Sequence, residues 1–196
     1  MLGPNSVTFE VRCFIVPAAD GVVVVDTGPP GTADAIEEAL GRVGAGWPDV
    51  TDVVLTHHHV DHVGDLAEVG SRAPRAVLWA GKRDVPLIHL EGDRVIRPIS
   101  EGDRVRDLVV LETPGHTAGH ISVVDETRSL VLVGDAVGSV SGALSFGPAA
   151  FTADPAQARA SVERLATLLV ERFVFSHGAE IPDPSEAIKD LLRSSG

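Results

Sequence analysis

Between residues 56 and 62 the chain reads Thr56-His57-His58-His59-Val60-Asp61-His62, four histidines and an aspartate in quick succession. Protonated imidazoles at that density would repel one another, and buried neutral ones would leave ring nitrogens without partners. A cation that takes their lone pairs is the simplest physical reason for the crowding. In extended chain, side chains two positions apart point to the same side, so His57 and His59 can reach one metal ion. Asp61 and His62, just beyond, can turn toward a second. Zinc commonly takes about four ligands, so this segment does not complete a site and further ligands are expected elsewhere.

His116, Asp135 and His177 are the candidates. His116 closes Pro114-Gly115-His116 after the apolar run that ends at Leu111-Glu112. Asp135 follows residues 130–133 and Gly134, and His177 follows Phe173-Val174-Phe175 and precedes Gly178. Each stands just beyond an expected strand, where a rigid sheet can aim a side chain. The other histidines have different expectations. His58, at the open position of H-x-H-x-D-H, faces solvent or supports the ligands from behind; His120 begins the next strand and bonds locally; His89, in Pro86-Leu87-Ile88-His89-Leu90, is not a ligand.

The elements that must position these residues are legible as alternating patterns. Residues 7–17 and 22–25 are rich in β-branched and aromatic residues and read as a hairpin around Ala18-Ala19-Asp20-Gly21. In residues 32–43, Ala35, Ile36, Ala39, Leu40 and Val43 recur at helical spacing between Gly31 and Gly44. Residues 52–55 read as a short buried strand running into the histidine cluster, and residues 75–79 as the next strand after a brief helix. Residues 94–133 carry short β-rich runs at 108–111, 121–124 and 130–133. Asp154-Pro155 is a helix start, N-cap then proline, opening an amphipathic helix to about Val170. Residues 173–175 form a strand and 184–192 a last helix, while residues 138–147 look like a surface loop. The order suggests two sheets packed face to face with helices outside, in one domain spanning residues 1–196.

Five ordered segments carry a resemblance. Val25-Asp26-Thr27-Gly28, the H-x-H-x-D-H run, Thr113-Pro114-Gly115-His116-Thr117-Ala118-Gly119-His120, Gly134-Asp135 and Ser176-His177-Gly178 resemble the motifs of the metallo-β-lactamase superfamily over residues 7–180. The resemblance implies an α+β fold, the four-layer αββα sandwich. It implies that His57, His59 and His116 bind one divalent metal ion, that Asp61, His62 and His177 bind the other, and that Asp135 bridges them, with Asp26 orienting the ligands from behind. Zinc is the expected metal, and iron or manganese suits the same ligands. The wording of the second and third motifs is most similar to glyoxalase II-like thioester hydrolases.

The implied chemistry follows from charge. Two dications, two aspartates and a bridging hydroxide leave a local charge near +1 inside a protein of net charge -12, enough to keep that hydroxide deprotonated near neutral pH. It would attack a small carbonyl ester, thioester, lactone or amide, with a protonated Asp61 or the second metal assisting the leaving group. The residues of 138–152, with Leu144, Phe146 and Phe151, would form an apolar substrate wall or a plain loop. Fewer than 20 residues follow the last motif, where glyoxalase II enzymes carry a helical region that contacts glutathione, and the chain has 0 tyrosines, which the superfamily's lactonases use beside the metals. These two departures count against a glutathione thioester and against a quorum-sensing lactone, and leave open whether glutathione is part of the substrate. The alternatives are a mononuclear iron oxidoreductase resembling persulfide dioxygenases and a non-enzymatic binding module.

Composition bounds the partners. The acidic balance, with 16 Lys and Arg scattered along the chain, argues against nucleic acid. No basic opening or long apolar run suggests a leader or a membrane span, so a soluble, cytoplasmic protein acting on a small molecule is expected, and nothing points to an oligomeric state. The single cysteine, Cys13, sits in an apolar run and reads as structural.

Overall fold

The computed structural model describes residues 10–90, 92–140 and 142–194. Along the chain the elements are β1 (Phe14–Ala18), β2 (Gly21–Val25), α1 (Ala33–Arg42), β3 (Val50–Leu55), α2 (Val60–Val63), α3 (Leu66–Arg72), β4 (Val77–Gly81), β5 (Ile96–Ile99), β6 (Arg104–Val105), β7 (Leu108–Glu112), β8 (Ile121–Asp125), β9 (Leu130–Leu132), β10 (Gly138–Val140), β11 (Ala143–Ser145), α4 (Pro155–Leu165), β12 (Arg172–Val174) and α5 (Pro184–Ser194).

The valine run of β2 shows how the layers arise. Successive side chains of a strand face opposite ways, so Val22 and Val24 join one core and Val23 and Val25 another, all of them buried. Both faces of the strand are covered, hence a continuous apolar run instead of an alternating one. The first sheet has the order β1-β2-β3-β4-β5, an antiparallel hairpin continued by parallel strands. The second has the order β12-β9-β8-β7-β6, antiparallel except where β12 joins β9.

Three cores separate four layers. On the outer face of the first sheet, Ile36 and Leu40 of α1 and Leu66 and Val69 of α3 cover Val53, Leu55 and Leu78. Between the sheets, Val23, Val25 and Val54 meet Val110, Ile121, Val123 and Leu132. Behind the second sheet, Val162 and Leu165 of α4 and Ile188 of α5 cover Val131, Phe173 and Phe175. Cys13 packs partly buried against the first of these cores; burial, then the charges of Asp26 and Asp65, push its thiol well above the usual range, as suits a structural residue.

Several boundaries differ from expectation. The first strand begins at Phe14; residues 7–9 of the expected strand lie outside the described residues, and Arg12 instead donates its backbone N–H to Ser176. Residues 138–147, expected as a loop, contain the hairpin of β10 and β11. The helix expected to reach Val170 ends at Leu165, because Thr167 and Leu168 tighten into three-residue turns on Arg164 and Leu165. Among the described residues no helix is long and apolar enough to cross a membrane.

Candidate metal centre

Every residue expected to hold a metal follows the end of a strand, and all lie at one end of the sandwich. His57, His59, Asp61 and His62 follow β3, His116 follows β7, Asp135 follows β9 and His177 follows β12. Among the described residues three groups have ligand atoms mutually within 4.8 Å: His57, His59 and His116; His57, His62 and Asp135; and Asp61, His62 and His177. The Asp135 carboxylate sits among them, Oδ2 lying 3.5 Å from His116 Nε2 and 3.3 Å from His177 Nε2, and Oδ1 3.3 Å from His62 Nε2. Asp61 Oδ2 is 3.4 Å from His177 Nε2 and 3.8 Å from His62 Nε2.

Hydrogen bonds at the far side of three of the rings set which nitrogen faces the cluster. His62 Nδ1 donates to Asp26 Oδ2 at 2.8 Å, leaving Nε2 for the centre. Thr56 Oγ1 donates to Asp26 and so accepts from His57 Nδ1 at 3.0 Å, which turns His57 Nε2 inward. His177 Nδ1 donates to the backbone carbonyl of Glu10 at 2.7 Å. Asp26, expected behind the ligands, is there: it accepts from the backbone and hydroxyl of Thr56 and from His62, fully buried. Thr56 and Glu10 escaped sequence reasoning, the first because threonine has no ligand chemistry to flag it, the second because only its backbone takes part.

His120 begins the next strand region as expected, but its role reaches the cluster. Its Nε2 accepts from the backbone N–H of Asp135 at 3.0 Å, so Nδ1 carries the proton and donates to Thr113 Oγ1, which in turn meets Ser122 Oγ. Burial holds His120 in the neutral form, down to about 3. His58 donates through both its backbone N–H and Nδ1 to the buried Asp84, which sequence reasoning also missed. His89 is exposed and in none of the ligand groups. Of the three apolar residues expected at the wall, Leu144 and Phe146 pack on the third core, whereas Phe151 is 63% exposed with its ring 6.3 Å from that of His59.

The electrostatics divide the cluster. Burial holds His57, His59 and His116 below the usual imidazole range, His116 at about 4. At His62 burial opposes the charge, yet Asp26 and Asp135 outweigh it and hold the ring at about 10. Hydrogen bonds to the carboxylates of Asp135 and Asp61 raise His177 to about 10 as well. Asp135 is held far below the carboxylate range despite burial, through His177 and His62, and Asp61 is lowered by its bond to His177.

The donor set fits a divalent cation. Buried polar atoms are nearly always partnered, yet His57 Nε2, His62 Nε2 and Asp135 Oδ1, which face the cluster, are buried with no hydrogen-bond partner among the described residues. Imidazole and carboxylate atoms gathered this closely are the ligand types of zinc, iron and manganese.

The Metallo-beta-lactamase superfamily model matches residues 8–177. The chain is 35% identical to metallo-beta-lactamase domain-containing protein 1 of Rattus norvegicus over 91% of this chain and 68% of that protein. It is 35% identical to hydroxyacylglutathione hydrolase of Nitrobacter hamburgensis over 63% of this chain and 46% of that enzyme, so it spans about half the length of such relatives. Its structure superposes on that of TTHA1623 in a di-iron-bound form with TM-score 0.73 and 27% identity, covering 95% of this chain and 94% of that one. With a match that runs through every strand bearing a cluster residue, the chain belongs to the metallo-β-lactamase superfamily and has its fold.

Proposed function

We propose that this protein is a hydrolase that uses two divalent cations to cleave a small carbonyl compound, an ester, thioester, lactone or amide. His57, His59 and His116 would hold one cation, Asp61, His62 and His177 the other, and Asp135 would reach both. The observation that carries the reading is that His57 Nε2, His62 Nε2 and Asp135 Oδ1, all buried, are left without hydrogen bonds where these seven side chains meet. Bound there, the cations would supply an acidified water as nucleophile and a Lewis acid for the substrate carbonyl.

The chain's own residues prepare that chemistry. Asp26, directly and through Thr56, keeps His62 and His57 in the tautomers that offer Nε2 to the centre. Asp61 Oδ2 lies 3.4 Å from His177 Nε2, which supports a ligand role for Asp61 beside the leaving-group role expected from the sequence. Val60, 66% exposed in the motif itself, and Phe151 beside His59 give an incoming substrate apolar contact at the rim.

Zinc is the proposed metal; the di-iron-bound relative supports iron as the alternative. The names of the hydroxyacylglutathione hydrolases support a thioester, without extending to glutathione, because the chain matches about half of their length. The test is elemental analysis of the purified protein together with turnover of a panel of thioesters, lactones and β-lactams, before and after chelation. About two metal ions per chain and chelator-sensitive hydrolysis are expected. A folded protein that holds no metal and gains no activity from zinc, iron or manganese overturns the proposal, and one iron with oxygen consumption on a persulfide replaces it by the oxidoreductase reading.

A further inference from the structure

We propose that Asp84 is a positioning residue for one of the two cation sites, that of His57, His59 and His116, and that it works by tying together the two loops that carry those ligands. The inference rests on the two-cation reading above. Asp84 lies in the turn after β4, is fully buried, and belongs to none of the ligand groups.

Its carboxylate accepts four hydrogen bonds, two from each loop. Oδ2 takes the backbone N–H of His58 at 3.0 Å, the same residue's Nδ1 at 2.9 Å, and Thr117 Oγ1 at 2.6 Å; Oδ1 takes the backbone N–H of Gly119 at 2.7 Å. His58 stands between His57 and His59, and Thr117 directly follows His116. A buried carboxylate persists only when its hydrogen bonds are satisfied, and here the satisfaction requires both loops to be in register. The two loops bring their ring nitrogens together: His116 Nε2 and His59 Nδ1 face each other at 2.9 Å, close enough to share one cation.

The backbone packing independently supports the same link. A Cβ on Gly119 would lie 2.6 Å from Asp84 Oδ1 and collide with the Asp84 backbone nitrogen, and a Cβ on Gly81 would collide with the Gly119 carbonyl oxygen. The end of β4 and the loop of residues 117–119 therefore touch backbone to backbone, which is the condition for Asp84 to reach the Gly119 N–H. The other site has a different anchor, since His62 is held by Asp26 and His177 by the Glu10 carbonyl. Loss of Asp84 should loosen one site and leave the other.

The experiment titrates zinc, then cobalt, into metal-free wild type, Asp84→Asn and Thr117→Val against a competing chelator, with the cobalt visible spectrum and the metal-free melting curve recorded for each. Asp84→Asn keeps the shape but turns an NH2 toward donors. One of two binding events is expected to weaken about 10–100-fold while the other stays within about threefold, and the cobalt spectrum should lose one component. Thr117→Val removes one of the four bonds and should show a smaller loss of the same component; it carries the test if Asp84→Asn does not fold. Equal weakening of both sites, or metal-free destabilisation with both affinities intact, overturns the role of Asp84. A wild type that binds no cation overturns the two-cation reading and this inference with it.

Discussion

Asp26 holds a backbone φ of 61°, a left-handed conformation that few residues other than glycine adopt, although Asn and Asp do so most readily. The strain places its carboxylate under the Thr56 N–H, the Thr56 hydroxyl and His62 Nδ1 together. Asparagine tolerates the same φ, so Asp26→Asn isolates the hydrogen bonding from the backbone. The amide keeps one acceptor and presents an NH2 to groups that donate, which frees His62, and His57 through Thr56, to turn. A drop in cation affinity of about 10–100-fold is expected, measured by chelator competition. Thr56→Val removes the hydroxyl's bonds to His57 and Asp26 but leaves the 2.8 Å bond between His62 and Asp26, and should give the smaller effect. Equal affinity in wild type and both variants would show that the ligands hold their orientation without Asp26.

At the scale of elements, α4 supports the loop that ends in His116. Ala153 and Asp154 donate backbone N–H groups to the carbonyls of His116 and Gly115, and Ser161 Oγ donates to that of Pro114. A Cβ on Gly115 would lie 2.7 Å from that of Ala158 and collide with its backbone, so the loop lies directly on the helix. The helix start is fixed in turn by Asp154 Oδ1, which accepts from Gln157 N at 3.0 Å, with Pro155 in the first turn. Asp154→Ala should cost about 1 kcal/mol in urea unfolding of the metal-free protein, and Gly115→Ala should also displace His116 and weaken cation binding. If Gly115→Ala binds cations like wild type, the helix contact does not position His116. That start was legible in the sequence because Asp-Pro before an amphipathic run has a mechanism of its own. The helix end was not, since the turns at 166–168 are set by where residue 171 must meet Ser129 beside β9. The same division runs through the site: imidazoles and carboxylates announced themselves by type and spacing, whereas Thr56, Asp84 and the Glu10 carbonyl matter only through where the folded backbone brings them.

Across the whole molecule, the centre joins the two sheets. His57, His59, Asp61 and His62 leave the first sheet at the end of β3, while His116, Asp135 and His177 leave the second. Among the described residues, Asp26, Asp61, Asp84 and Asp135 crowd the same end of a chain whose net charge is -12, so bound cations would both bridge the layers and offset like charges. A ligand that binds only the folded state stabilises it by about 2.7 kcal/mol at 100 times its dissociation constant. For a chain of this size each kcal/mol moves the melting temperature by roughly 2–4 °C. Stripping the protein with a chelator and dialysing the chelator away should therefore lower the melting temperature by about 5–10 °C for each site emptied, and zinc should restore it. Calcium, which prefers oxygen ligands, should restore little, because five of the seven side chains offer only imidazole nitrogen. A melting temperature indifferent to both treatments would mean that the two sheets are held at this end by their own packing, and that no cation binds there tightly enough to serve catalysis.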